Sequence, residues 1–287
     1  MLMFNFRLYF HCLFHINGPK RRPEFKVSLK RIIILFLFFA FYTLHTLINW
    51  IFSLLDEIFF FAYKKTEISE SVFITGAPRS GTTFMHRSLS KDKMTFTSFT
   101  LGEILFAPSI IQKFILYSIS WLDKRIKSPF GRTILWIERQ LSKKYGRIHN
   151  YSLSEPDEDE ILLLGIFSSL YLLFLFPEIQ MTRKYAQFDE NLSEKEKKLI
   201  MRYYTKNIRK HLYFQKRIIR TSSVYLSKSP VHISRINSIY RTFPGCKIIY
   251  LQRDPLEVLP SWISMNSIVF KIFHSPLTNY PLKEETT

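Results

Sequence analysis

The stretch from Thr75 to Phe84, "TGAPRSGTTF", constrains the fold of this chain more than any other feature. It follows "SVFIT", a β-branched and aromatic run that is typical of a buried strand. Two glycines and a proline then form a turn, and the residues from Thr82 onward read as a helix. A strand, a glycine turn and a helix N-terminus direct several backbone N–H groups to one point, where they bind anions. The pattern predicts an α/β unit with an anion site formed by Arg79, Ser80, Gly81, Thr82 and Thr83.

The loop has the glycine spacing of a nucleotide-binding P-loop, G-x-x-x-x-G-K-[ST], but it lacks the lysine. Thr82 stands where that lysine would contact the terminal phosphates. Magnesium-dependent P-loop enzymes also need a carboxylate after a strand, and the comparable Asp254 directly follows an arginine. We therefore expect an anion held by amides, hydroxyls and the Arg79 guanidinium, with no metal ion. A P-loop kinase or NTPase with an altered lysine is the alternative.

A second motif, "FPGCKIIYLQRDPLEVLPSWI", occupies residues 243–263. It predicts a buried strand over Lys247–Leu251, then Arg253, and Ser261 two helical turns later. Together with "PRSGTT" it resembles the two phosphate-binding motifs of sulfotransferases that use 3′-phosphoadenosine 5′-phosphosulfate (PAPS). The resemblance implies that the first loop holds the 5′-phosphosulfate and that Arg253 and Ser261 hold the 3′-phosphate. It also implies a P-loop-like three-layer α/β/α fold with a central parallel sheet.

A third block, "YLSKSP" at residues 225–230, resembles the K-x-P segment of membrane-associated and bacterial-type sulfotransferases. The resemblance implies that Lys228 lies near the cofactor and that a helix over Val231–Thr242 leads into the second strand. Arg79 and Lys228 would then stabilise charge during in-line transfer of the sulfuryl group. The alternative is that Lys228 is a solvated loop lysine.

Two acidic segments contain candidates for the base that takes the acceptor's proton. Glu103, in "TSFTLGEILF", lies where several tyrosylprotein-type and carbohydrate-type sulfotransferases carry such a glutamate. Its apolar neighbours predict a raised pKa, which suits a base; the alternative is a surface glutamate at a helix start. The second segment, "HNYSLSEPDEDE", contains Glu155 and His149 as further candidates. Its last four acids, residues 157–160, are expected at the N-terminus of a buried helix over Ile161–Phe176.

The segment Ile32–Ile51 is apolar and long enough to cross a bilayer, which takes about 20 residues. Six basic residues precede it: Lys20, Arg21, Arg22, Lys26, Lys30 and Arg31. The segment either spans the membrane or lies in its interface, and a buried core helix is the third alternative. We expect a basic segment over residues 1–30, a transmembrane or interfacial helix over 31–62, and a sulfotransferase domain over 69–287 with a shortened C-terminus.

The expected location depends on the kind of cell. In a eukaryote, the basic residues before the apolar helix predict a single-pass, Golgi-type protein whose domain is luminal. The sequons at Asn150 and Asn191 would then carry glycan. In a bacterium PAPS is made in the cytosol, so the domain would lie on the cytoplasmic face of the inner membrane.

The net charge of +18 indicates an anionic partner. Because the sequence contains no nucleic-acid-binding motif, we expect a membrane and a phosphate-bearing ligand instead of nucleic acid. Cys12 and Cys246 imply neither a disulfide framework nor a zinc site, and Cys246 is expected to be buried. Residues 110–122 have the apolar spacing of an amphipathic helix.

The predicted function is PAPS-dependent sulfuryl transfer to a hydroxyl or amine of an unidentified small-molecule, lipid or carbohydrate acceptor, with protein tyrosine also open. A catalytically inactive nucleotide- or lipid-binding relative is the alternative from another class.

Overall fold

The computed structural model describes residues 3–14, 28–145, 152–177, 179–221 and 224–274. The strands are β1 (Ser71–Gly76), β2 (Phe96–Thr97), β3 (Val224–Lys228) and β4 (Cys246–Leu251). The α-helices are α1 (Phe6–Phe14), α2 (Leu29–Phe59), α3 (Thr82–Leu89), α4 (Leu101–Phe106), α5 (Ile110–Arg125), α6 (Pro129–Tyr145), α7 (Leu172–Leu175), α8 (Gln180–Arg183), α9 (Phe188–Asn191), α10 (Glu194–Phe214), α11 (Ile236–Thr242) and α12 (Pro255–His274). Short 3-10 helices cover Phe61–Lys65, Asp159–Ile166, Lys184–Gln187 and Pro230–Arg235, and a π-turn covers Gln215–Ile219.

The four strands that the described residues form make one parallel sheet in the order β2-β3-β1-β4. In this register Ile74 of β1 lies opposite Lys228 of β3, and Gly76 lies opposite Leu251 of β4. Because the strands are parallel, the loops that leave β1, β3 and β4 meet at the same edge of the sheet. Topology alone therefore brings three features to one edge: the loop at residues 77–81, Lys228 and Arg253.

Both faces of the sheet are covered. Phe73 packs in the main core, together with residues of α10 and α11. Val72 and Ile74 alternate with Phe73 along β1 and pack on the other face, against Met85 and Leu89 of α3. Helix, sheet and helix thus form three layers, and the predicted α/β fold class with a parallel sheet is confirmed.

Helix α2 packs along the domain. Leu35, Phe39 and Tyr42 recur at helical spacing, are buried, and belong to the same core cluster as Phe73. The Tyr42 hydroxyl also donates a hydrogen bond to the Leu164 carbonyl at 2.6 Å. Within the described part of the chain, α2 is the one helix long and apolar enough to cross a membrane. Even so, one of its faces is part of the hydrophobic core.

The prediction of a single buried helix over Ile161–Phe176, after the acidic block "EPDEDE", is wrong. The 3-10 helix Asp159–Ile166 ends at Phe167, whose φ is +53°, and α7 follows after a further turn. Glu160 is expected at a helix N-terminus, but its side chain is buried. Its Oε1 accepts hydrogen bonds from the Ser169 hydroxyl at 2.9 Å and the Leu170 amide at 3.0 Å. The chain therefore folds back onto its own buried carboxylate, which interrupts the helix.

Other local predictions have mixed outcomes. Ser193 followed by Glu196 three residues later predicts a capping box, and that box is present and begins α10. The amphipathic helix predicted from residue 110 is present as α5 and extends to Arg125. Strand β4 is partly exposed, and Cys246 is half-buried instead of buried, because β4 pairs on one side only among the described residues.

Candidate active site

Glycines shape the turn between β1 and α3. Gly76 ends β1 with a φ of +153°, and a Cβ atom there would lie 2.3 Å from the Leu251 carbonyl oxygen. Gly81 precedes α3 with a φ of +95°, and Arg79 between them also has a positive φ, of +71°. Glycine adopts such angles without steric cost, and its missing side chain lets β1 approach β4 closely. The turn leaves the first N–H groups of α3 without helical partners, available to an anion.

Hydroxyl groups line the same turn. Thr82 begins α3 and is 4% exposed, while Thr83 beside it is half-buried. The Ser80 Oγ is buried and has no hydrogen-bond partner among the described residues. Leaving a buried hydroxyl without a partner costs roughly 1–3 kcal/mol, so a ligand oxygen at this point would be favoured. On this observation the loop fits a phosphosulfate group.

The second motif meets the first at the edge of the sheet. The Arg79 Nε donates to the Ser261 Oγ of α12 at 3.0 Å. A guanidinium nitrogen of Arg253 donates to the Arg79 carbonyl at 3.3 Å, and its Nε donates to Glu257 at 2.8 Å. Residues separated by more than 170 positions in the chain are thus in direct contact. Arg79, Arg253 and Ser261 therefore lie together at this edge of the sheet.

Lys228 is the last residue of β3 and is 1% exposed, which contradicts the alternative of a solvated loop lysine. The amide after it, of Ser229, donates to the Ile74 carbonyl of β1 at 3.1 Å. Its own Nζ lies 2.6 Å from the Glu158 Oε1. The Lys228–Glu158 pair is therefore held next to β1, the strand that leads into the turn from Gly76 to Gly81. The helix expected over Val231–Thr242 is present in two parts, a 3-10 turn followed by α11.

Glu103 has a different environment from the one predicted. It forms a capping box with Thr100, whose amide donates to the Glu103 Oε2 at 3.0 Å, and its Oε1 lies 2.6 Å from the Nζ of buried Lys113. Burial by itself would raise the pKa of Glu103, but the charge of Lys113, with His211 nearby, holds that pKa below its usual range. The predicted raised pKa is wrong in direction. Glu103 is a half-buried, ion-paired carboxylate at the start of α4.

The acidic block contributes more to the site than its sequence indicated. Asp159 is buried and accepts hydrogen bonds from Tyr204 and Tyr225, the second at 2.6 Å, and it lies 3.5 Å from the His232 Nε2. Burial opposes its charge, yet these contacts lower the pKa of Asp159 to about 2. The neighbouring Glu158 meets Lys228. The hydrogen bonds that hold Asp159 in place thereby also fix the backbone of the preceding residue, Glu158.

Glu158 is the residue that sequence reasoning missed. The sequence predicts only that the four acids from residue 157 onward lie at a helix N-terminus. The partner is 70 positions away, so no local pattern indicates the contact. Glu155, proposed as a base, is exposed, and its carbonyl accepts a hydrogen bond from the Leu101 amide at 3.0 Å.

Several predictions concern parts of the chain outside the described residues. They are the candidate base His149, the sequon at Asn150, the basic residues at 20–26, and the shortened C-terminus after His274.

Known proteins resemble this chain in sequence. The model of the sulfotransferase family matches residues 71–282. Omega-hydroxy-beta-dihydromenaquinone-9 sulfotransferase Stf3, from Mycobacterium bovis and from Mycobacterium tuberculosis, is 27% identical over 248 residues, which are 82% of this chain and 55% of the relative. The chain thus spans about half the length of these curated relatives.

Two solved structures resemble it in fold. Sulfotransferase STF9 from Mycobacterium avium aligns with a TM-score of 0.52 and 17% identity, over 74% of this chain and 50% of that chain. Sulfotransferase STF1 from Mycobacterium tuberculosis H37Rv aligns with a TM-score of 0.51 and 15% identity, over 78% and 56%. At such identities the likeness concerns the fold alone. The family model, which covers both phosphate motifs and most of the chain, carries the assignment: the chain belongs to the sulfotransferase family.

Proposed function

We propose that this chain transfers a sulfuryl group from PAPS to a hydroxyl or amine of an acceptor molecule. The observation that carries the proposal is the contact of Arg79 with Ser261 at 3.0 Å and with Arg253 at 3.3 Å. Two sequence motifs that resemble the two halves of a PAPS site are thereby joined in space. Membership of the sulfotransferase family supports the same reaction.

Each motif would hold one end of the donor. The amides at the start of α3 and the hydroxyls of Ser80, Thr82 and Thr83 would bind the 5′-phosphosulfate. Arg253 and Ser261 would bind the 3′-phosphate, with Arg79 between the two groups. The bound donor supplies an activated sulfuryl group, whose leaving group is a phosphate oxygen.

The remaining residues would stabilise the charge on the leaving oxygen and take the acceptor's proton. The Lys228 ammonium would stabilise the negative charge that develops on the leaving oxygen. A carboxylate must take the acceptor's proton as the new bond to sulfur forms. Glu158 suits this role because it contacts Lys228 at the loop edge, whereas Glu103 is committed to Lys113 and to the Thr100 amide. Replacing each glutamate by glutamine separates the two: we expect the larger loss of sulfuryl transfer from Glu158→Gln.

We infer that the acceptor is a small molecule or lipid. The name of the relative Stf3 gives its acceptor as a hydroxylated dihydromenaquinone, which is a lipid. The exposed apolar face of α2 supports an apolar acceptor as well. We also infer attachment to a membrane through α2, on the cytoplasmic face, since the relatives named above are bacterial. Glycan on the exposed Asn191 would contradict that side and favour a luminal domain.

The proposal is tested by ligand binding, before any acceptor is known. The full chain is titrated with adenosine 3′,5′-bisphosphate without magnesium, and the free energy of unfolding is followed. At 100 times the dissociation constant the ligand should stabilise the protein by about 2.7 kcal/mol. Arg253→Ala should abolish this gain, while Arg241→Ala, which removes another exposed arginine, on α11, should retain it.

Two outcomes would contradict it. A folded parent chain that gains no stability from the nucleotide would leave an inactive relative as the better description. A gain that requires magnesium and a nucleoside triphosphate would favour the P-loop NTPase.

A further inference from the structure

The hairpin formed by α5 and α6 exposes many large apolar side chains. Six of them are between 46% and 63% exposed: Phe114, Ile119, Trp121, Phe130, Leu135 and Trp136. The inner side of α5 is anchored by Ile110, Gln112 and Lys113, which are all buried. Exposed apolar surface that is contiguous over two helices is rare on a soluble protein and marks an interaction site.

The turn between the two helices is strongly basic. Lys124, Arg125, Lys127 and Arg132 are all exposed, and Asp123 is the one acid in this stretch of sequence. That acid is 8% exposed, and its carboxylate accepts hydrogen bonds from the Phe130 and Gly131 amides, each at 2.9 Å. Four cations therefore face solvent with their charge uncompensated by the turn itself.

The cations and the aromatic rings lie side by side. The Arg125 guanidinium lies 3.8 Å from the ring centroid of Trp121. Tryptophan is enriched where apolar chains meet polar headgroups, and arginine and lysine beside it can reach the phosphates. A basic rim next to an exposed apolar face is complementary to the headgroups and the acyl chains of an anionic leaflet.

The hairpin is joined to α2, whose outward face is also apolar. The Gln112 side-chain amide donates to the Asn49 Oδ1 at 2.7 Å, and Asp56 of α2 accepts from the Ile110 and Ile111 amides. On the outer side of α2, Leu44 and Ile51 are 60% and 59% exposed. The hairpin and α2 are thus in direct contact, and each exposes apolar side chains.

The inner face of α2 rules against crossing the bilayer in this conformation. Leu35, Phe39 and Tyr42, all within the apolar stretch Ile32–Ile51, are buried in the core cluster that contains Phe73. A bilayer-crossing α2 would have to leave this core and expose its apolar side chains to water, which is costly. If α2 lies along the membrane surface, it keeps its packing in the core and places its exposed apolar face against lipid.

We propose that the α5–α6 hairpin, together with the outward face of α2, docks on an anionic lipid bilayer, with Trp121 and Trp136 inserted at the interface. The inference extends the membrane attachment proposed for α2 and does not depend on sulfuryl transfer. It assigns the selectivity for anionic lipid to the hairpin turn.

The test measures binding of the full chain to phosphatidylcholine vesicles with and without phosphatidylglycerol. Binding should be stronger with phosphatidylglycerol, and Lys124→Glu/Lys127→Glu/Arg132→Glu should weaken it by about tenfold or more. The matched control, Lys195→Glu/Lys198→Glu/Lys216→Glu, changes the net charge equally at three exposed lysines elsewhere. It should retain most of the binding.

A second readout reports insertion. Bromines on the lipid acyl chains should quench tryptophan fluorescence of the parent chain, and Trp121→Phe/Trp136→Phe should remove most of that quenching while Trp50 and Trp262 remain. Equal loss of binding in both charge variants, or unchanged quenching in the tryptophan variant, would overturn the role of the hairpin. Absence of vesicle binding, with concentration-dependent dimers instead, would overturn the membrane attachment altogether and assign the face to a second copy of the chain.

Discussion

Gly76 allows β1 to approach β4 closely at the candidate site. A Cβ on this residue would lie 2.3 Å from the Leu251 carbonyl and 2.9 Å from the Ser80 Oγ, far inside van der Waals contact. Gly81 also has a positive φ, but nothing lies within 4 Å of where its Cβ would be. The two glycines of the loop therefore have different physical roles, since the first is needed for space and the second for backbone conformation.

Alanine substitution at the two positions should separate these roles. We expect Gly81→Ala to cost about 1 kcal/mol of unfolding free energy, from backbone strain alone. Gly76→Ala should cost at least twice as much, because the carbonyl of β4 must move as well. Urea denaturation of both variants measures the difference. Equal costs would mean that the strand ends separate easily, and the close approach would not be needed for the fold.

At the scale of elements, a single buried carboxylate joins the C-terminal end of α2 to two other helices. Asp56 accepts hydrogen bonds from the Ile110 amide at 3.0 Å and the Ile111 amide at 3.1 Å, which are orphan donors at the start of α5. The same carboxylate pairs with Lys210 of α10 at 2.8 Å. One side chain thus joins three helices.

Asp56→Ala should destabilise the protein by about 3–5 kcal/mol, because it leaves Lys210 buried without its partner. The double variant Asp56→Ala/Lys210→Met should recover part of this loss. Glu190→Ala, which removes an exposed carboxylate, serves as the control and should change stability by less than about 0.5 kcal/mol. Urea unfolding gives the free energies, and hydrogen exchange reports on α2. If Asp56→Ala matched the control, the Asp56–Lys210 contact would not hold the end of α2 to α5 and α10.

At the scale of the whole molecule, buried histidines make stability depend on pH. His211 is fully buried, and its ring lies 4.4 Å from that of Phe99. Burial lowers the pKa of His211 to about 3 and that of His86 to about 4. Both residues are therefore neutral in the folded protein near pH 7. In the unfolded chain they take up protons near pH 6.5.

The folded protein should therefore lose stability as the pH falls below about 6.5, by about 1.4 kcal/mol per pH unit for each of these two histidines. Above that pH neither group contributes a slope. Chemical denaturation at a series of pH values from 8 to 5 measures this dependence. His211→Gln should reduce the slope by about one histidine's share. An unchanged slope would show that His211 binds its proton in the folded state.

Prediction from the sequence was most successful where the physics is local. The turn from Gly76 to Gly81, the start of α10 at Ser193 and the start of α5 near residue 110 follow from residue types within a few positions of one another. Strand β3 and the chain reversal after Glu160 were less accessible. The conformation of both segments depends on contacts between a buried carboxylate and groups far away in the chain. No neighbouring residue indicates those contacts.

The sequence by itself determined the glycine turn between β1 and α3, the spacing of Arg253 and Ser261, and the parallel α/β class, because backbone propensity and short-range spacing act over one or two turns. Only the tertiary structure decided that Lys228 pairs with Glu158, that the pKa of Glu103 is lowered, and that one face of α2 joins the core. These features depend on charges and apolar surfaces that are far apart in the chain. Their energies exist only after the parallel sheet has brought them within a few ångströms of each other.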